Sequence, residues 1–547
     1  MCGIVLVAGA EADEALFRPM LAALAPRGET EETFLAPGLL AGVQRLKIVD
    51  AEHAVQPWQS ADGRWLLVYN GEVFNYRQLR AELIGLGAAL RTESDTELVA
   101  EAFARWGEGA VARFRGEFAF AVADRQAGSV YLARDPVGVK PLYWSARGGR
   151  LHVASEIKAL VLCGAPVREV PPGHHGWARG GGHPTSSLGQ PELAPYTDLL
   201  RLQSGQLPID EPEEAAKALR LAVEDSIRVR VDTHLTVGVI LSGGLDSSIV
   251  LTQVVQMHPD CVALTIGAPD SDDLRYARRL CTELGVPHEV IEVRPRNIRT
   301  SDIRTAIRMS ELTEYGDIIN AIVSVPLFAR AHRLGIKVVL TGDGSDELFG
   351  GYSMYSRSGG DASRRLFRHM IANLHRTELQ RVDRVSMGHS VEARVPYLDP
   401  AVVDLALRIP VELKVRDGQE KWIMRQAFAD ALPGYILRRP KNPMSHSSGL
   451  HERARLYRAL FAGMHRSYGY DLLEPVRRDF SVVLRRSNHD LDRAIATAQA
   501  GQDYTLAEHA RDLAGALRWN AAAVLRSRRT VPPRRVPTVP RHRAVTR

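Results

Sequence analysis

The run Val237-Gly238-Val239-Ile240-Leu241-Ser242-Gly243-Gly244-Leu245-Asp246-Ser247-Ser248 joins an apolar strand, a glycine turn and the opening of a helix. Glycines let backbone N–H groups approach an anion closely, and the helix start adds its positive end. No Lys stands where a GxxxxGK[ST] phosphate loop carries one, so that motif is excluded. The same grammar continues downstream. Helical patterns at 213–230, 246–257 and 274–284 alternate with apolar strands at 235–241, 261–266 and 288–293, and a further strand at 336–340 runs into a second glycine turn. This succession predicts a parallel sheet with helices on both faces, and ligands beyond the carboxyl ends of its strands, where both glycine turns fall.

The first part of the chain reads differently. Short apolar strands at 64–69, 117–123 and 129–133 accompany helical patterns at 75–86 and 96–106, which predicts a layered α+β, sandwich-like domain. A chain of 547 residues needs more than one core. Pro171-Pro172-Gly173 and Gly180-Gly181-Gly182-His183-Pro184 break regular structure. The expected layout is a domain over 2–180, a linker over 181–208, the parallel-sheet domain over 209–450, a helical extension over 451–525 and a Pro/Arg-rich, disordered tail over 526–547.

The formal charge of +6 becomes −2 once the eight Arg of that tail are set aside, so a basic pI gives no ground for expecting nucleic-acid binding. Four Cys, at 2, 163, 261 and 281, form no CxxC pair and no disulfide framework. The N-terminal stretch has no basic leader, and no uncharged apolar run reaches membrane-spanning length. The expectation is a soluble cytoplasmic protein with no membrane partner.

Removal of Met1 would leave Cys2 with a thiol and a free amine on one residue, and the amine can serve as the thiol's own base. Alone, a Cys at this position also suits a small buried hydrophobe. Its surroundings include Arg45-Leu46-Lys47-Ile48-Val49-Asp50, Tyr69-Asn70-Gly71-Glu72-Val73-Phe74-Asn75-Tyr76, Arg91-Thr92-Glu93-Ser94-Asp95-Thr96-Glu97, Ala133-Arg134-Asp135-Pro136-Val137-Gly138-Val139-Lys140 and Ser155-Glu156-Ile157-Lys158. With Cys2, these stretches resemble the glutamine-hydrolysing domain of N-terminal-nucleophile amidotransferases, from residue 2 to about 173. The resemblance implies that Arg45 pairs with the α-carboxylate of L-glutamine, Asp95 receives its α-ammonium, Glu72 joins the glutamine site, and Asn70 with Gly71 forms the oxyanion hole. Taken singly, these residues read as a surface ion pair, a helix cap and an ordinary turn. The family's Arg-Gly-Pro-Asp turn is Arg27-Gly28-Glu29-Thr30 here.

The glycine turn at Ser242 matches the SGGxDS pyrophosphate loop of enzymes that split ATP into AMP and pyrophosphate. The second turn, Thr341-Gly342-Asp343-Gly344-Ser345-Asp346-Glu347, and the stretch from Asp383 through Val391-Glu392-Ala393-Arg394-Val395-Pro396 extend the likeness to about residue 450. Together the motifs resemble the glutamine-hydrolysing asparagine synthetase family. They imply an α+β N-terminal-nucleophile sandwich followed by an α/β parallel-sheet ATP-pyrophosphatase domain. They also imply ATP and Mg²⁺ as cofactors, and L-aspartate or another carboxylic acid as acceptor. A homodimer is the assembly suggested by the family.

By the same resemblance, Leu241, Ile266, Thr341 and Gly342 contact the nucleoside, and Ser242, Gly243, Gly244, Asp246, Ser247 and Ser248 surround pyrophosphate. Asp246 and Asp346 are the Mg²⁺ candidates, hard carboxylates facing phosphate oxygens; either alone reads as a helix cap. Glu392, Arg394 and Lys421 are acceptor-side candidates, with a structural ion pair and a solvated cation as the alternatives. Asp343 stands where many members have Glu and is read as the group that orients ammonia or takes a proton. Lys441 is read as neutralising charge at the activated acyl group. The following loop, Met444-Ser445-His446-Ser447-Ser448-Gly449, departs from the family's Gly-X-Gly turn.

Overall fold

A computed structural model describes residues 1–450 apart from 11, 184, 201–206, 313–316, 357–359 and 443–446, and beyond them residues 468, 473–474 and 493–495. The loop containing His446, most of the 451–525 extension and all of the 526–547 tail lie outside the described residues.

The N-terminal domain is built on two stacked, largely antiparallel sheets. In the first, Cys2–Gly9 lies between Leu39–Arg45 and Arg150–Ala154, with Thr30–Ala36 beyond one neighbour and Tyr143–Arg147 and Val167–Glu169 beyond the other. In the second, Trp65–Val73 pairs with Gly116–Asp124, followed by Ser129–Arg134 and His174–Ala178, and Trp58–Gln59 forms the opposite edge. Alternation along Cys2–Gly9 decides what each side chain meets. Cys2, Ile4, Leu6 and Ala8 enter the core between the sheets against Leu66, Val68, Ala119 and Ala121. Val5 and Val7 point the other way, to Phe17, Met20 and Leu21 of the helix Glu14–Ala23. The outer face of the second sheet is closed by Tyr76–Gly85 and Asp95–Trp106 through Leu79, Leu98, Val99 and Phe103. The result is a four-layer helix–sheet–sheet–helix domain with the nucleophile candidate on an inner strand.

The second domain carries a five-stranded parallel sheet in the order His288–Glu292, Cys261–Gly267, Val237–Ile240, Val338–Leu340 and Glu392–Arg394. Both of its faces are covered. Val237, Val239 and Leu340 face one core, with Leu219, Val223, Ile249 and Leu280, while Leu264, Val339 and Ala393 face another with Ile307, Ile322 and Phe328. The predicted helices occur at Pro212–Arg230, Leu245–Met257 and Asp272–Leu284.

The structure adds two short strands, one in the stretch read as linker and one in the stretch read as helical. The stretch read as linker contains the strand Glu192–Pro195, which pairs with His174–Ala178 and extends the second sheet. Gly180 forms an antiparallel bridge with Leu188, so the glycines that follow it fall in a reversal of the chain. Within the stretch read as helical, Leu473–Glu474 forms a strand parallel to Val167–Glu169 at the edge of the first sheet.

Candidate active site

Cys2 is the first residue of its strand and lies opposite Arg45 in the register. Its N–H donates to Asn70 Oδ1 at 2.9 Å. Asn70 is fully buried, and its Nδ2 meets no hydrogen-bond partner among the described residues. A buried, unused donor beside a thiol is the arrangement an oxyanion hole requires before charge develops. Gly71 is obligatory at the next position, because a Cβ there would lie 2.4 Å from the Glu117 carbonyl oxygen.

Asp95 opens the helix Asp95–Trp106, after the Ser94 cap. Its Oδ2 accepts from the Tyr69 hydroxyl at 2.7 Å and from the Val73 N–H at 3.4 Å. Burial raises the Asp95 pKa, and the Tyr69 bond opposes that rise. Arg45, 5% exposed, reaches Glu32 at 3.4 Å. Gln56 was not singled out in the sequence. Its Nε2 lies 3.5 Å from the Cys2 sulfur, and its Oε1 accepts from Tyr69 N–H at 2.9 Å. Met1, Cys2, Arg45, Gln56, Gly71, Glu72 and Asp95 are among the residues around a cavity of only about 20 Å³, roughly the space of one water.

The Met1 side chain is buried, and its ammonium lies 3.4 Å from Glu392. Burial works to lower the pKa of that ammonium, but the charges of Cys2, Glu392, Glu72 and Asp95 outweigh it and raise the pKa. Burial also raises the Cys2 thiol, with the adjacent ammonium opposing. Glu392 and Arg394 meet here, at the contact between the domains. Arg394 Nε donates to Glu392 at 2.5 Å, and its Nη2 reaches Glu72 at 3.3 Å. Burial and the neighbouring Asp95 push the Glu72 carboxyl well above the usual range.

At the second centre, Leu241 continues from the central strand and its carbonyl accepts from Thr265 Oγ1 at 2.7 Å, one residue before Ile266. Gly243 has φ +67, and a Cβ there would press on Tyr276 and Ala277 at 2.8 Å. Ser242 and Ser247 hydroxyls lie 3.1 Å apart, and Ser242 Oγ accepts from Gly244 N–H at 3.2 Å, so the turn is tied by its own side chains. Gly244 caps the helix that carries Asp246, Ser247 and Ser248.

The second turn meets the first directly. A Cβ on Gly342 would be 3.2 Å from Asp246 Cβ, and Ser345 Oγ donates to Asp246 Oδ1 at 2.7 Å. Thr341 N–H donates to the Arg394 carbonyl at 3.1 Å, fixing the turn to the edge strand. Lys421 Nζ lies 2.5 Å from Asp246 Oδ2 and also pairs with Asp346. Lys441 Nζ sits 2.5 Å from Asp346 and 3.8 Å from Asp246. Burial tends to raise the Asp346 pKa, yet the two ammonium groups hold it well below the usual carboxylate range.

Among the described residues, no group of three or more His, Cys, Asp and Glu side chains is poised to hold a metal ion. The two carboxylates converging on one ammonium nevertheless fit a cation that takes one or two protein oxygens and completes its shell with phosphate and water. Two further groups come from outside the predicted set. Arg439 Nη1 donates to the Ser242 carbonyl at 3.0 Å. Arg381 Nη2 donates to Asp343 Oδ1 at 2.6 Å while its Nε holds Asp317 at 2.8 Å.

A strand-borne cysteine next to an unused amide donor thus lies in one domain, and a parallel sheet bearing an SGG turn in the other. Residues 1–171 match the model of the glutamine amidotransferase domain, and residues 218–361 and 357–470 match that of asparagine synthase. Asparagine synthetase B [glutamine-hydrolyzing] of Escherichia coli is 31% identical over 432 residues, 74% of each chain. The glutamine-hydrolyzing asparagine synthetase of Sandersonia aurantiaca is 32% identical over 436 residues, 74% of this chain and 78% of that one. The solved glutamine phosphoribosylpyrophosphate amidotransferase of B. subtilis is 16% identical with a TM-score of 0.31, covering 72% of this chain and 81% of that one. The chain belongs to the glutamine-hydrolysing asparagine synthetase family.

Proposed function

We propose that this chain amidates L-aspartate to L-asparagine with nitrogen from L-glutamine and energy from ATP, releasing glutamate, AMP and pyrophosphate. The observation that carries this is Asn70 Nδ2, without a partner among the described residues and next to Cys2, on the same chain as two carboxylates gathered at an SGG turn.

Met1 fills the space against Cys2, so its removal both frees the amine and enlarges the site. The Cys2 amine then takes the thiol proton and the sulfur attacks the glutamine amide carbon. Asn70 Nδ2 and Gly71 N–H hold the oxyanion, the C–N bond breaks with ammonia taking a proton, and water releases glutamate from the thioester. Arg45, Asp95 and Glu72 anchor the amino-acid end of glutamine.

At the second centre the aspartate β-carboxylate oxygen attacks the α-phosphorus of ATP and pyrophosphate leaves. Residues 242–248 cradle the phosphates, and Leu241, Ile266, Thr341 and Gly342 border the nucleoside. Mg²⁺ held by Asp246 and Asp346 would balance charge on the pyrophosphate. Lys421 and Lys441 supply positive charge at the same point. Ammonia attacks the acyl carbon, Asp343 accepts the surplus proton on the oxygen that Arg381 leaves free, and AMP departs. Glu392 and Arg394, lying between the centres, order the contact across which ammonia passes.

By family resemblance we also assign a cytoplasmic homodimer. No helix among the described residues is long and apolar enough to cross a membrane. The test is incubation with glutamine, ATP and Mg²⁺ against a panel of carboxylic acids, with products identified by mass. Asparagine, glutamate and AMP in equal amounts are expected with aspartate. Amide formed only from another acid would overturn the choice of acceptor.

A further inference from the structure

Arg27 is 1% exposed although it lies in a turn of the N-terminal domain. Its Nε donates to the Cys2 carbonyl oxygen at 3.1 Å, fixing the backbone of the reacting residue. Its other nitrogens are held by two carboxylates. Glu156, from the same domain, accepts from Nη1 at 2.6 Å. Asp383, from the synthetase domain, accepts from Nη1 at 2.8 Å and from Nη2 at 3.3 Å. Asp383 is 2% exposed, so this fork is the dry, two-point kind that fixes an arginine's plane.

The synthetase domain grips the turn at further points. Ser390 Oγ and N–H both donate to the Pro26 carbonyl, at 2.8 and 3.1 Å, and Lys337 Nζ reaches Glu29 at 2.8 Å. The turn, with Glu29 after Gly28, is thus braced from the other domain.

Asp383 belongs to the helix Glu378–Met387. Arg384, beside it, donates to the Tyr143 hydroxyl at 2.9 Å and to Glu311 at 3.3 Å, and Glu311 in turn accepts the N–H groups of Ile157 and Lys158 at 3.0 and 2.7 Å. Arg381 precedes Asp383 by two residues, about 200° around the helix, and holds Asp343 at the synthetase centre. One helix therefore carries on opposite faces the partner of Asp343 and the partner of Arg27.

We propose, on the function assigned above, that Asp383 is a positioning residue for the glutaminase reaction: a synthetase-domain carboxylate that fixes Arg27, and through it the backbone of Cys2. The domains are thus joined through the nucleophile's own anchor as well as through shared ammonia. Among the described residues the Arg45 and Asp95 side chains share no hydrogen bond or ion pair with Arg27 or Asp383, so loss of the fork misplaces the thiol and leaves glutamine binding intact.

The test uses the full chain and two half-reactions: glutamate release from glutamine, and AMP release driven by ammonium. Asp383→Asn is expected to lower kcat for glutamate release by about ten- to a hundredfold, with KM for glutamine and ammonium-driven AMP release nearly unchanged. Arg27→Gln should give the same split, and the double variant should be no worse than Arg27→Gln alone, because Asp383 acts through Arg27. Unchanged glutamate release in Asp383→Asn, an equal fall in both half-reactions, or multiplying losses in the double variant would each overturn the proposal. If Asp383→Asn does not fold, Asp383→Ser takes its place, and loss of ammonium-driven turnover in both assigns Asp383 to the fold alone and overturns it too. Wild-type protein that releases no glutamate fails the functional assignment itself, whereas active wild type with silent Asp383 variants fails this inference only.

Discussion

Replacing Asn70 separates two duties that one side chain performs. Its Oδ1 accepts the Cys2 N–H at 2.9 Å, and its buried Nδ2 has no partner among the described residues. Leaving such a donor unpaired costs about 1–3 kcal/mol in the resting protein, and that cost is recovered when a tetrahedral oxyanion forms beside it. Loss of one such donor lowers kcat by about 10² to 10³, equivalent to roughly 2.7–4 kcal/mol of barrier. Asn70→Asp keeps the acceptor for Cys2 but turns a carboxylate oxygen toward the developing charge, so its loss should reach or exceed the upper end of that range. Asn70→Ala removes both contacts without adding repulsion and should fall within it. The glutamine carbonyl carries no full charge before attack, so KM should change by less than threefold in either variant. The assay is steady-state glutamate release, with ammonium-driven AMP formation measured in parallel as a check on the second domain. An Asn70→Asp protein within threefold of wild-type kcat, or one that loses both half-reactions equally, would refute the reasoning.

Cys2→Ala should abolish glutamate release while leaving ammonium-driven asparagine and AMP formation within twofold, as read by product chromatography. Lys441→Ala removes one of the two ammonium groups held against Asp346 and should cut ammonium-driven AMP release by at least about 10², in line with loss of one charge-stabilising group, while glutamate release without ATP persists. Lys414 is buried with its Nζ 4.3 Å from the Phe367 ring centre, and burial pushes its pKa down to about 7. The unfolded chain, where a lysine titrates near 10.4, binds the extra proton between those values, so this side chain's contribution to stability rises with pH across that interval. Lys414→Met should therefore raise Tm at pH 7, with a gain that shrinks toward pH 10, measured by thermal unfolding. A gain that grows with pH would contradict the assignment.

Both glycine turns were legible in the sequence because each is a local event, in which a strand, a turn and a helix follow one another within a dozen residues. Val237–Ile240 and Leu245–Met257 accordingly fall within or beside their predicted spans. The sandwich was legible as a class but not as an order, since Cys2 pairs with Arg45 and Val5 with Ala154 across long stretches of chain. Gly180 to Gly182 could not be assigned from sequence because glycine punctuates a hairpin and a domain boundary in the same way. Arg27 and Asp383 carry no signal of their own within their motifs, and Arg381 lies outside them. Residue type predicts such side chains to be solvated, and only the meeting of residues hundreds apart buries and pairs them. Gln56 carries no spacing signal at all, because it reaches Cys2 from an irregular segment.

The parallel pairing of Leu473–Glu474 with Val167–Glu169 has a consequence for biogenesis. On the ribosome the first sheet's outer strand emerges about 300 residues before the segment that covers it, roughly 15–60 s at ordinary elongation rates. Through that interval its hydrogen-bonding edge is open to other nascent chains. A fragment cut near residue 180 would keep that edge bare permanently, so polysome crowding and truncation present the same hazard.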